Sequence, residues 1–284
     1  MESVLLCGDA RELLPQIPDR CVQCVVTSPP YWGIRDYNVE GQIGAEGTLE
    51  KYVEELASVF REINRIIKDN GCVWLNLGDG YTSGNRKYRA TDKKYSDRAM
   101  SMRPDTPIGL KDKDLLGVPW RVAFRLQADG WFVRGEHIWY KRNCMPESVK
   151  DRPMRAHEHV FLLSKNERYY FDNRPFLQSS IRSVWDIPTA RDGSVSVPPF
   201  PEELVRLCVE SGSRVGDLVV DPFFGSGVVG RYCEKVGRRY IGIDINGGIL
   251  RHYARANGQD RMEPIRADDP ELKEWITQIC TSKG

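Results

Sequence analysis

No stretch of this sequence is apolar for long. Val160 to Leu163 is a typical run, and nothing approaches the roughly 18 consecutive apolar residues that a membrane-spanning helix requires. Met1 to Asp9 lacks a basic start, a long apolar stretch and a small-residue cleavage pattern, so no secretory signal is expected. Net charge is nearly absent, with 41 Lys and Arg against 40 Asp and Glu. Paired metal-type cysteines are also missing. Cys21 and Cys24 form one C-x-x-C, but no second Cys or His pair follows at zinc spacing. We therefore expect no metal, and read the pair as small apolar residues entering a strand. The 8 cysteines are scattered through 284 residues, which fits reduced thiols and a cytoplasmic protein. Hydrophobic content of 40% is enough to cover a core and excludes disorder.

What the sequence does contain is a set of short apolar runs bounded by turn residues. Val4 to Cys7, Val22 to Thr27, Cys72 to Leu77, His137 to Tyr140, Val160 to Leu163, Leu218 to Val220 and Tyr240 to Ile243 read as buried strands. Between them lie helical patterns. In Leu49 to Ile67 the residues Val53, Leu56, Val59, Phe60, Ile63 and Ile67 recur at mostly three- and four-residue spacing, with Gly71 as the expected stop. Trp120 to Leu126 and Pro201 to Val209 are shorter helix candidates. Strands alternating with helices predict a mainly parallel α/β sheet covered on both faces, with the site just beyond the carboxyl ends of the strands. The expected organisation is one domain over residues 1–284 with a smaller embedded region.

That region is Tyr81 to Lys113, which has no apolar period. It carries Arg86, Lys87, Arg89, Lys93, Lys94, Arg98, Arg103, Lys111 and Lys113 against four aspartates. Basic residues interleaved with Tyr81, Tyr88 and Tyr95 suit a nucleic-acid backbone, where cations displace counterions and rings stack on bases. A solvated loop is the alternative.

Two strand ends carry unusual chemistry. The first runs Thr27-Ser28-Pro29-Pro30-Tyr31-Trp32. Successive prolines stiffen the backbone and lack N–H groups, leaving nearby carbonyls free to accept. With a hydroxyl and two rings beside them, they can hydrogen-bond an amino group and stack on a flat heterocycle. The second runs Asp221-Pro222-Phe223-Phe224-Gly225-Ser226-Gly227, followed at the end of the next strand by Asp244. Glycines after a strand let the backbone approach a ligand, and an acid about 20 residues on suits ribose hydroxyls. Gly225, Gly227 and Gly230 satisfy G-x-G-x-x-G, yet the Asp-Pro-Phe-Phe insertion lengthens the turn. A dinucleotide and a single nucleoside both remain open from this segment.

Together these residues resemble the beta class of amino-methylating DNA methyltransferases, in the Ser-Pro-Pro-Tyr subgroup. The family's catalytic tetrapeptide, matched by Ser28, Pro29, Pro30 and Tyr31, precedes its cofactor motif, matched by Asp221, Pro222, Phe223, Gly225, Ser226 and Gly227, and the order here is the same. Gly8-Asp9 resembles the motif upstream of the catalytic strand, whose acid lies near the cofactor's adenine. Phe200 opens a segment similar to the one leading into the cofactor strand. Trp139 to Asn143, Met145 to Ser148, His157-Glu158-His159 and Tyr169 to Asp172 are also similar to members of that subgroup. The resemblance implies a Rossmann-like S-adenosylmethionine-dependent methyltransferase fold: a mostly parallel seven-stranded sheet with helices on both faces and permuted motif order. It implies S-adenosyl-L-methionine as cofactor and double-stranded DNA as substrate. Homodimers and a cognate restriction endonuclease accompany many relatives.

Three features depart from the family pattern. Asp244 stands where many members have Glu, and Val228 where Thr is frequent. The interval 172–198 is short where relatives carry target recognition. Recognition then involves the basic Tyr81 to Lys113 insertion, whose Arg86, Lys87, Arg89, Lys93 and Lys94 are expected to bind nucleic acid, or the recognised sequence is short.

The chemistry expected is direct transfer. A nucleobase amino lone pair is delocalised into its ring; bonds from its N–H groups to Ser28 and the Pro29 carbonyl would make the nitrogen more tetrahedral and aim it at the sulfonium methyl. Methyltransferases flip their target base out of the stack, and Tyr31 with Trp32 would supply the stacking face. C5 methylation needs a thiolate from a Pro-Cys pair, which the sequence lacks. Within the family, Ser at the first catalytic position tends to accompany cytosine N4 and Asp adenine N6, so N4-cytosine is expected and N6-adenine is the alternative. A nicotinamide oxidoreductase would leave Ser28 to Tyr31 without a role. A glutamine methyltransferase has the opposite motif order, and an inactive nucleic-acid-binding module would have lost some of these residues. Phosphate contacts do not distinguish DNA from RNA.

Overall fold

Each of the seven apolar runs becomes a strand in the computed structural model, which describes residues 3–37, 39–83, 100, 103–144, 146–190, 200–258 and 263–281. In chain order the elements are β1 Ser3–Cys7, α1 Ala10–Leu13, β2 Val22–Thr27, α2 Leu49–Ile66, β3 Ile67–Leu77, α3 Val118–Ala128, β4 Phe132–Tyr140, β5 His157–Ser164 and α4 Arg174–Gln178. There follow β6 Val184–Asp186, α5 Glu202–Gly212, β7 Leu218–Asp221, α6 Val228–Lys235, β8 Arg239–Asp244, α7 Gly247–Ala256, β9 Ile265–Arg266 and α8 Leu272–Thr281. No described helix is long and apolar enough to cross a membrane.

The described strands form one sheet in the order β6-β4-β5-β3-β2-β7-β8-β1-β9. Seven are the expected ones; β6 and β9 extend the edges and, at 3 and 2 residues, are too short to show as apolar runs. Pairing is parallel except where β5 runs antiparallel between β3 and β4. Side chains alternate across the sheet and split the core in two. Val25, Val73 and Leu75 face a cluster closed by α2, α3 and α8. Cys24, Val26, Cys72 and Trp74 face a second cluster closed by α5, α6 and α7. Cys24 therefore lies in the core, as read from the sequence, while Cys21 sits with its Sγ 3.1 Å from that of Cys280.

Helix α2 starts where Thr48 accepts a hydrogen bond from the Lys51 N–H at 3.2 Å, an N-cap. It does not run to Gly71. The backbone of Ile67 is already extended, with φ −73° and ψ 142°, so helix passes directly into strand. Gly71 instead closes a bulge where β3 gains extra residues against Val22 and Cys24 of β2. A Cβ there would lie 2.4 Å from Ile67 Cγ1 and 2.9 Å from the Gln23 carbonyl oxygen, so close backbone approach explains this glycine.

Candidate active site

Strands β3, β2, β7, β8 and β1 are neighbours running in one direction, so their carboxyl ends lie side by side. The two motifs and both acids of the sequence analysis sit at these ends, where an open parallel sheet binds ligands.

A cleft of about 640 Å³, its open mouth included, lies there, lined by Gly8 and Asp9 after β1, Ser28 and Pro30 after β2, Pro222, Phe223 and Gly225 after β7, and Asp244 at the end of β8. Tyr37, Ile43, Ile245 and Ile249 add apolar walls. Gly225 has φ +52° and donates its N–H to Asp244 Oδ2 at 2.8 Å, while Asp244 Oδ1 accepts from the Asn246 N–H at 2.8 Å. Burial pushes the Asp244 carboxyl up, opposed by these two backbone bonds. A carboxylate has about four lone-pair sites, so Asp244 keeps acceptor capacity for a diol in the cavity. Asp9 caps α1 through the Arg11 N–H at 2.8 Å and pairs with the Arg11 guanidinium, which also reaches Glu55 at 2.7 Å.

Other residues of the cofactor motif stand behind this wall. Phe200, Ser226 and Gly227 do not line the cavity. Cβ atoms at Gly227, Gly230 and Gly242 would each fall within 2.8 Å of the Phe224 ring. Phe224 is buried and stacks on Tyr240. The second and third glycines of the G-x-G-x-x-G pattern thus make room for an aromatic core, which removes the reason to read a dinucleotide cradle from them.

Asp221 is also turned away from the cavity. Its Oδ1 accepts from Thr27 Oγ1 at 2.8 Å and from the Phe223 N–H at 3.1 Å, which ties the strand before the tetrapeptide to the glycine turn. Burial raises its pKa from 3.8 to about 7 against those two bonds. Between those values the folded chain binds more protons than the unfolded one. The stabilisation is complete below 3.8 and is lost as pH rises through about 7. At about 1.36 kcal/mol per pK unit the whole effect is at most about 4 kcal/mol. Asp221→Asn keeps the Oδ1 acceptor without the charge. Thermal melts should therefore place the variant above wild type at pH 8, with the gap narrowing toward pH 5; parallel curves would contradict this account.

The tetrapeptide separates the first cavity from a second, about 620 Å³ with its open mouth included, lined by Tyr31, Trp32, Gly78, Asp79, Tyr81, Arg103 and Asp105 among others. Two residues hold the turn that sequence reasoning passed over. Tyr52 of α2 donates its hydroxyl to the Pro30 carbonyl at 2.8 Å. In the sequence it is one more apolar position of an amphipathic helix. Among the described residues nothing donates to the Pro29 carbonyl, so it is free to accept, as the paired prolines suggested. Gly78 leaves room for Tyr31, because a Cβ there would lie 2.6 Å from its ring. Trp32 is only 6% exposed, belongs to the core and donates Nε1 to the Glu46 carbonyl at 2.8 Å. The structure thus presents Tyr31 rather than Trp32 as the principal ring at this wall.

Tyr31 Oη donates to Glu158 Oε2 at 2.7 Å, and Asn76 Nδ2 donates to the same oxygen at 2.6 Å. Ser28 Oγ donates to Tyr31 Oη at 3.3 Å, and Lys141 Nζ meets Glu158 Oε1 at 2.6 Å. Burial pushes the Glu158 carboxyl up, but Lys141 and the hydrogen bonds outweigh it and hold it below the ordinary glutamate value. His157 and His159, on either side in β5, alternate to the opposite face, where His159 Nδ1 lies 2.8 Å from Glu136. Arg86, Lys87, Arg89, Lys93 and Lys94 lie outside the described residues.

Comparison with known proteins places the chain in a family. The family described as DNA methylase matches residues 22–255. The chain is 50% identical over 251 residues to type II methyltransferase M.XycI of Xanthomonas campestris pv. cyanopsidis, covering 86% of this chain and 84% of that protein. It is 49% identical over 246 residues to M.Cfr9I of Citrobacter freundii, covering 84% and 82%. Among solved structures it superposes on the cytosine-N4-specific PvuII DNA methyltransferase with a TM-score of 0.70, at 21% identity over 99% of this chain and 92% of that one. Superposition on a putative DNA modification methylase of Thermus thermophilus complexed with S-adenosyl-L-methionine gives 0.63, at 23% identity over 92% and 96%.

Proposed function

The chain belongs to the DNA methylase family, and from that premise we propose that it methylates the exocyclic N4 amino group of a flipped-out cytosine in DNA. Family membership makes it an S-adenosylmethionine-dependent DNA methyltransferase. The finer assignment rests on Ser28, a neutral hydroxyl at the first position of the tetrapeptide, on the wall of the first cavity and hydrogen-bonded to Tyr31 on the wall of the second.

The first cavity fits the cofactor by its donor set: an acid for ribose hydroxyls at Asp244, apolar walls at Phe223, Ile245 and Ile249, and a stiff end at Ser28 and Pro30. When bound, S-adenosylmethionine supplies an electrophilic methyl group on a sulfonium. The chain's own part is orientation. Ser28 Oγ and the Pro29 carbonyl accept from the amino group, localise its lone pair and aim it across the tetrapeptide. Tyr31 stacks on the base in the second cavity and replaces the stacking lost from the duplex. Asp9, Pro222, Phe223, Gly225 and Asp244 hold the cofactor; Asp221, Phe200, Ser226 and Gly227 shape the turn around it. Residues 1–284 act as one catalytic domain, with basic residues of 81–113 on the DNA backbone. Relatives named as type II methyltransferases support a role in modifying DNA beside a restriction endonuclease.

Expression in a methylation-deficient host, followed by mass spectrometry of nucleosides from its DNA, tests the base. N4-methylcytosine is expected. N6-methyladenine would keep the reaction and overturn the base assignment.

A further inference from the structure

The network behind Tyr31 has a direction. Glu158 is ionised and can only accept, so Tyr31 Oη must be the donor in their 2.7 Å bond. The Tyr31 oxygen is then left to accept, and it does so from Ser28 Oγ at 3.3 Å and Asn76 Nδ2 at 3.0 Å. Ser28, having given its only proton to Tyr31, offers its oxygen as acceptor. One lone pair faces Asn76 Nδ2 at 3.3 Å. The other is free on a side chain that lines the first cavity. The chain Ser28, Tyr31, Glu158 is thus polarised from the cavity toward a carboxylate.

We propose that Ser28, Tyr31 and Glu158 form a proton relay that carries the displaced amino proton of the target base to Glu158. The proposal rests on the reading of Ser28 to Tyr31 as the site of amino methylation. As the amino nitrogen's lone pair forms the new N–C bond, the methyl's bond to sulfur breaks with its electron pair left on sulfur, and positive charge passes to the nitrogen. One N–H proton moves to Ser28 Oγ, the Ser28 proton moves to Tyr31 Oη, and the Tyr31 proton moves to Glu158 Oε2. The base leaves neutral, both hydroxyls keep one proton each, and Glu158 becomes a neutral acid. With 14% of its side chain exposed, it returns the proton to water.

Two neighbours suit Glu158 to the part of acceptor. Lys141, from just after the end of β4, keeps Glu158 charged before the reaction through Oε1 and leaves Oε2 to the relay. Asn76, from β3, shares its two amide N–H donors among Oε2 at 2.6 Å, the Tyr31 oxygen at 3.0 Å and the Ser28 oxygen at 3.3 Å. Lys141 is the charged group facing Glu158 among the described residues; His157 and His159 lie across the sheet. Glu158 does not line either cavity, so it acts through Tyr31 as a positioning and proton-accepting residue.

The test uses the full chain, with a DNA duplex methylated by wild type and S-adenosylmethionine in single-turnover mixing from pH 6 to 9. The wild-type rate should be level across this range. Glu158→Gln and Tyr31→Phe should each be slowed roughly 10²-fold or more at pH 7, the scale of general-base catalysis. Their rates should rise with pH as water and hydroxide take over the proton. Calorimetric affinity for S-adenosylmethionine should stay within about twofold of wild type, which separates loss of the relay from loss of the fold. A Glu158→Gln rate equal to wild type, or a slowed rate whose pH profile matches wild type, would overturn the relay and leave the methylation reading standing. Absence of any amino methylation by wild type would remove both.

Discussion

Tyr31→Ala will lower the single-turnover rate of methyl transfer by roughly 10³-fold or more, while S-adenosylmethionine binds within about twofold of wild type. The asymmetry comes from position. Tyr31 lines the second cavity and is not on the wall of the first. Truncation removes the ring on which a flipped base would stack, worth about 1–3 kcal/mol per base. It also removes the hydroxyl that joins Ser28 to Glu158. The Glu158 carboxylate loses a donor, and the space beside Gly78 becomes a void. Quenched-flow assays for the rate and calorimetry for the cofactor measure the two effects separately. A parallel loss of both would move Tyr31 into the cofactor site and contradict the two-cavity arrangement. Tyr31→Phe, which keeps the ring, should fall between alanine and wild type.

Asp244→Ala will weaken S-adenosylmethionine binding by roughly 10- to 100-fold, since hydrogen bonds to a charged group are worth about 1.5–3 kcal/mol. Its carboxylate does two jobs. It faces the cavity as the acid suited to ribose hydroxyls, and it holds the glycine turn by accepting from the Gly225 and Asn246 N–H groups. Alanine leaves those donors unpaired at the cavity wall. Calorimetry with the wild-type and variant chains reads the loss directly, and unchanged affinity would end the assignment. Asp244→Asn, which keeps one acceptor oxygen, should lose less than alanine. This contrast also addresses the family departure at position 244, because the short aspartate already spans from strand end to Gly225 at 2.8 Å.

Much of this arrangement was legible in local sequence because its causes are local. Short apolar runs marked seven strands, since a strand buried on both faces shows little alternation. Prolines after Thr27 end the regular ladder because they lack an N–H, a property of the residue itself, and of their two carbonyls Tyr52 takes that of Pro30. The spacing from Gly225 to Asp244 brought an N–H and a carboxylate together because both lie at the ends of adjacent parallel strands. The helix stop was misplaced for a tertiary reason: Gly71 serves a close approach to Gln23 and Ile67, which no local pattern encodes. The G-x-G-x-x-G match likewise looked like a ligand motif until Phe224 was seen to occupy the space beside Gly227 and Gly230.

The sequence by itself determined seven of the nine described strands, the motif order and the family resemblance. Only the tertiary structure decided which side chains act together. Thr27 and Asp221 are 194 residues apart and bonded; Tyr31 and Glu158 are 127 apart and bonded. Neither separation follows a helical or strand period. Both contacts exist because β2 lies between β3 and β7, and because β5 reverses direction to start where β3 ends. Strand order is set by burying two apolar faces at once, a property of the whole sheet, and it is strand order that brings an acceptor carboxylate to the tetrapeptide.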